Sequence, residues 1–143
     1  MRLVGLAGVS AFAASLVAPA GAGPTPDLIT ARLSASPASY SGRCPTEITF
    51  TGTITAPRPG KVTYRFVRSD GGAEDPAEIV FPRADTLVVG MTWKLGGPGA
   101  DFRDYRGWLT LEILAPIRLQ ATPATFRLRC SKRTRTPPTP LLP

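Results

Sequence analysis

A chain of 143 residues, 43% hydrophobic and 19% charged, has room for one small domain plus an apolar segment that need not belong to it. It contains no histidine, which removes serine–histidine and cysteine–histidine catalysis and every zinc or copper site built on imidazole. Of the formal charge of +7, much falls after Phe126, where Arg127, Arg129, Lys132, Arg133 and Arg135 meet no acid, so the basic folded face that nucleic acid requires is not expected.

The apolar segment comes first. Met1 and Arg2 supply a short positive start, and Leu3 to Val17 is apolar or small, broken only by Ser10 and Ser15. Ala20-Gly21-Ala22 fits a small-residue cleavage site. Residues 1–22 therefore read as a signal peptide and 23–27 as a linker, and the mature protein is expected in a secreted or periplasmic location. A retained anchor is the alternative, but a bilayer span needs about 20 apolar residues. No cysteine follows the cleavage region, which argues against a lipid anchor. In an exported chain Cys44 and Cys130 are expected to form one disulfide.

Seven strands follow. Ile29, Ala31 and Leu33 alternate with polar residues in a modest first strand, and residues 36–42 read as a turn-rich crossing. Ile48, Phe50, Gly52 and Ile54 then alternate strictly with Thr49, Thr51, Thr53 and Thr55, the mark of a strand with one buried and one wet face. Pro57 to Gly60 turns the chain, and Val62, Tyr64 and Phe66 share the next inward face. An acidic loop around 70–76 leads to a short strand over 78–81. Leu87, Val89, Met91 and Trp93 form the fifth inward row, 96–107 reads as a long loop, and Leu109, Leu111 and Ile113 form the sixth. Phe126, Leu128 and Cys130 form the seventh, and Cys44 shares parity with Ile48, so both cysteines are expected to face inward. Residues 131–143, with four prolines and no core pattern, read as a disordered basic tail.

The expected fold class is all-β: a single antiparallel β-sandwich of about seven strands over residues 28–130. Tyr40-Ser-Gly-Arg-Cys-Pro45, Phe50-Thr-Gly-Thr-Ile54, Val62 to Gly71 and Phe126-Arg-Leu-Arg-Cys130 resemble small secreted bacterial immunoglobulin-like, or fibronectin-III-like, domains. The resemblance implies an architecture and carries no activity. The chain departs from antibody-type domains in having Tyr64 and Phe66 where those have tryptophan, and in placing its cysteines off the paired central strands.

Bridged cysteines leave no thiolate nucleophile or metal ligand. Gly96-Gly97-Pro98-Gly99 lacks the lysine and the following helix of a phosphate loop. No enzyme, cofactor or resident metal is expected. Asp70, Glu74, Asp75 and Glu78 could ligate Ca²⁺, or form a solvated loop. Arg65, Arg127 and Arg129 with Trp108 and Glu112 would share a wet face if the third, sixth and seventh strands share a sheet. Such a face could hold an anionic glycan or an acidic protein, or it could be a solvated face in which Glu112 pairs with an arginine. The 96–107 loop, carrying Arg103 and with Phe102, Tyr105 and Trp108 at or after its end, could recognise a partner or plug one end of the sandwich. The function expected is a secreted, monomeric, non-enzymatic module that binds a protein or an anionic envelope polymer through the loop or the Arg/Trp face. The alternative is an envelope protein held to anionic wall or membrane by its basic tail.

Overall fold

The computed structural model describes residues 28–97 and 102–131. The signal peptide, the linker, the centre of the 96–107 loop and the tail from residue 132 onward lie outside the described residues.

The described chain is all-β, with nine strands: β1 (Thr30–Ser36), β2 (Ser39–Gly42), β3 (Thr46–Ala56), β4 (Gly60–Arg68), β5 (Ala77–Phe81), β6 (Asp85–Leu95), β7 (Tyr105–Ala115), β8 (Leu119–Gln120) and β9 (Ala124–Cys130). One sheet has three strands in the order β1-β3-β6, and the other runs β2-β9-β7-β4-β5 with β8 added beside β7. Among the described residues no helix is long and apolar enough to cross a membrane.

Alternation does most of the local work. In β3 every second residue from Ile48 to Ala56 is buried, and the threonines between them face outward or are half-exposed. β7 is the hub of the larger sheet. Its one edge pairs with β4, and its other edge passes from β9 at Tyr105–Leu109 to β8 at Glu112 and Ile113. The β4–β7 register skips Leu114, a bulge that lets β7 twist as it leaves the sheet.

Three expectations need correction. Residues 39–42 are not a plain crossing: they form β2, which runs parallel to β9 and makes the sheet mixed rather than antiparallel. β8 adds a further short strand, so the strands number nine instead of about seven. The long loop ends earlier than 107, because β7 begins at Tyr105. The first and third depend on β9, a partner far away in sequence, which local alternation does not encode, and β8 is a two-residue strand too short to show an alternation at all.

Side chains from both sheets meet in one core. Phe126 of β9 lies edge-on to Phe50 of β3, with ring centroids 5.8 Å apart, and to Trp93 of β6 at 5.5 Å. Cys44 and Cys130 are bonded, with their Cα atoms 5.5 Å apart. The bridge ties the start of β3 in the small sheet to the end of β9 in the large one. Gly96, at φ +74°, closes over it: a Cβ there would lie 2.7 Å from the Cys44 Cβ and 3.1 Å from the Cys130 Sγ. Both the backbone angle and the bridge therefore call for glycine.

Candidate functional site

β4, β7 and β9 do share a sheet, so the condition for an Arg/Trp face is met. The structure nevertheless divides that face in two. Arg65 is the cross-strand partner of Glu112, and its Nε donates to Oε2 at 2.9 Å. Together with Arg118 and Gln120 this pair lines a shallow depression of about 350 Å³. Arg127, in contrast, stands opposite Arg106, six residues back along β7, or roughly 20 Å at the rise of a strand. Between the two groups the chain around Ala121 runs along the edge of β7, its N–H donating to the Leu111 carbonyl at 2.9 Å. It buries Thr110, whose hydroxyl donates to the Ala121 carbonyl at 2.8 Å. Arg65 therefore does not join Arg127 and Arg129.

The second group is the more charged. Arg127 grips Asp104 through two bonds, Nε to Oδ1 at 2.5 Å and Nη2 to Oδ2 at 2.7 Å. Arg129 Nε stands 3.9 Å from the same Oδ1, and Arg106 also lies within the electrostatic reach of Asp104. Three guanidinium groups thus surround one carboxylate. The hydrogen bond from Arg127, reinforced by the charges of Arg127, Arg129 and Arg106, holds the Asp104 carboxyl below the ordinary carboxylate value. Trp108 is 37% exposed beside this group. Its backbone is clamped to the end of β4: its N–H donates to Ser69 Oγ at 3.1 Å and its carbonyl accepts from the Ser69 N–H at 2.9 Å.

Arg106 and Asp104 were not among the residues singled out from sequence. Extending the inward row Leu111, Leu109 back through Gly107 to Tyr105 would have placed Arg106 outward beside Trp108. Gly107 hides that row, because it has no side chain where the Phe126 ring fills the space; a Cβ there would lie 2.5 Å from Phe126 Cζ.

The loop residues divide as well. Tyr105 faces the other way from Arg106, half-buried, with its ring 5.0 Å from Phe102 and 6.0 Å from Phe126. The Phe102 carbonyl accepts from the Cys130 N–H at 2.7 Å. The Phe102 and Tyr105 rings are both partly buried and pack against the core. Arg103 lies exposed between Phe102 and Asp104.

Three carboxylates of the acidic stretch, Asp70, Glu74 and Glu78, enter ion pairs. Asp70 accepts from the Gly72 N–H at 2.9 Å and from Arg68 Nε at 3.2 Å, which hold its carboxyl below the ordinary value. Glu74 lies 3.6 Å from Arg68 Nη1, and Glu78 pairs with Lys61 at 2.9 Å. The Arg68 guanidinium in turn sits 5.3 Å from the centre of the Trp93 ring. Among the described residues no three carboxylates, cysteines or histidines come together as a metal would require.

No protein-family model matches the chain, and neither a curated protein nor a solved structure matches it.

Proposed function

We propose that the chain is an exported, non-enzymatic binding domain that takes an anionic glycan on the β7–β9 surface formed by Arg106, Trp108, Arg127 and Arg129. The observation that carries this reading is the charge imbalance of three guanidinium groups around the single Asp104 carboxylate, beside an exposed indole. Guanidinium forks match carboxylate, sulfate and phosphate oxygens, and an indole adds an apolar face for the body of the ligand. Export is supported by the leader pattern in residues 1–22 and by a disulfide that persists in oxidising compartments. An immunoglobulin-like sandwich is supported by strand order. β1-β3-β6 against β9-β7-β4-β5 follows the sequence in which that fold deals its strands to two layers, with no edge strand beside β6 among the described residues.

Dextran sulfate is the probe of choice, because its charge does not titrate in the working range. Arg106→Glu combined with Arg129→Glu is expected to weaken binding by at least about tenfold, the scale of losing charged hydrogen bonds. Truncation after Ser131 is expected to leave most of the affinity. If truncation abolishes binding and the double reversal does not, the basic tail is the binding element and this reading fails.

Asp104 gives a second test. Asp104→Asn removes the one carboxylate in the group and is expected to tighten binding. The carboxylate's depressed pKa fixes the pH window. Its ion pairs persist at every pH above the ordinary carboxylate range and are lost only as pH falls through the lower folded value. The difference between Asp104→Asn and the unaltered protein should therefore hold from neutral pH through the ordinary carboxylate range and close only below it. Closure within that range would contradict the pairing.

A further inference from the structure

The two sheets have four outer edges, and three of them are blunted. β2 is four residues long, with Pro37 and Pro45 near its ends. β5 is five residues long and sits between Pro76 and Pro82. β1 has seven residues, carries the outward Arg32, and is followed directly by Pro37. Short strands, prolines and charges are the usual means of keeping an open edge from pairing with another chain.

β6 uses none of them along its length. It has eleven residues and no proline, and it pairs with β3 through eleven consecutive partners without a bulge. Its other side has no partner strand among the described residues. Its only charges are Asp85 and Lys94, at the two ends, and between them lies a neutral run rich in threonine and valine. The outward residues Thr86, Val88, Gly90, Thr92 and Lys94 are all exposed, Val88 to 69%.

We infer that β6 is a self-association edge, on which two copies of this chain pair antiparallel about a two-fold axis at Gly90 to join their three-stranded sheets into one of six strands. The strand's own pattern selects a second copy as the occupant. Antiparallel pairing brings the Asp85 end of each strand beside the Lys94 end of the other, whereas a parallel copy would set like charges together. With Gly90 on the axis, Val88 faces Thr92 of the partner subunit twice, and no two outward side chains meet at the centre. The edge is about 37 Å long and offers on the order of ten backbone hydrogen bonds. A closed two-fold interface uses both open edges and leaves none for further growth. The pairing lies on the opposite sheet from Arg106, Trp108, Arg127 and Arg129, so it does not depend on the ligand proposed for them, and it replaces the monomer expected from sequence.

Sedimentation equilibrium of the full chain tests this, with thermal unfolding as the control for folding. The unaltered protein should sediment as a monomer–dimer equilibrium. Val88→Lys with Thr92→Lys sets lysine against lysine twice across the axis and is expected to weaken the dimer by at least about tenfold, because opposed like charges are costly at an interface. Both positions face solvent in the single chain, so the unfolding temperature at low concentration should hardly move. Val88→Lys with Thr92→Glu sets lysine against glutamate in the same register and should restore the dimer. A monomer at every concentration, a dimer indifferent to the paired lysines, or open-ended assembly would each overturn the inference. Failure of the lysine–glutamate pair to restore association would overturn the Gly90 register.

Discussion

Serine in place of both Cys44 and Cys130 is expected to lower the free energy of unfolding by about 4–5 kcal/mol. The bridge joins residues 86 positions apart and so encloses most of the described fold. A loop that long restricts the unfolded chain far more than the folded one, which is where the stabilisation arises. A domain of this size has a total stability of about 5–15 kcal/mol, so the loss would leave little reserve. Urea titration of the double variant against the oxidised protein measures it directly. A loss below about 1 kcal/mol would mean that the unfolded chain is already restricted around this loop by other contacts. The site's geometry adds a second reason for the bond to matter. Gly96 closes against the bridge, so the sulfurs help to hold the end of β6 over the junction between the sheets.

Phe126→Ala should cost about 3–5 kcal/mol, the range for deleting a large buried ring. Phe126 is buried, and it is the point where the two sheets meet through aromatic rings: Phe50 and Trp93 from one, Tyr105 from the other. The ring also fills the space left by the missing side chain of Gly107. Truncation opens a cavity bounded by groups on three neighbouring strands, and paired sheets cannot collapse into it without breaking register. For a domain near 100 residues the corresponding fall in Tm is at least about 12 °C. Val80→Ala, at an exposed position of β5, is the comparison and should stay within about 0.5 kcal/mol. A similar loss from both variants would show that Phe126 does not join the sheets energetically.

The same contacts that stabilise the fold place the candidate site. Phe126 in the core puts Arg127 on the outer face, and β9 pairing with β7 sets Arg127 against Arg106. Asp104 then anchors Arg127 from the turn just before β7. A site built this way is fixed by strand register, and substitutions that shift β9 along β7 would dismantle it while leaving every side chain in place.

The sequence alone determined the class of structure and the inward rows. Ile48, Phe50 and Ile54 are buried as their alternation requires, and the same is true of Val89 with Trp93, of Leu109 with Leu111, and of Phe126 with Leu128. Cys44 and Cys130 had matching parity and are bonded. These are local properties, because side chains along a strand alternate whatever the strand pairs with. Only the tertiary structure decided which strands neighbour one another and in what register. It made Ser39–Gly42 a parallel strand on β9 and buried the outward Thr110 under the Ala121 segment. It parted Arg65 from Arg127 and brought in Arg106 and Asp104. It also left one side of β6 without a partner strand among the described residues. Pairing is chosen by contacts between residues far apart in the chain, and a one-residue change in register exchanges the buried and exposed faces.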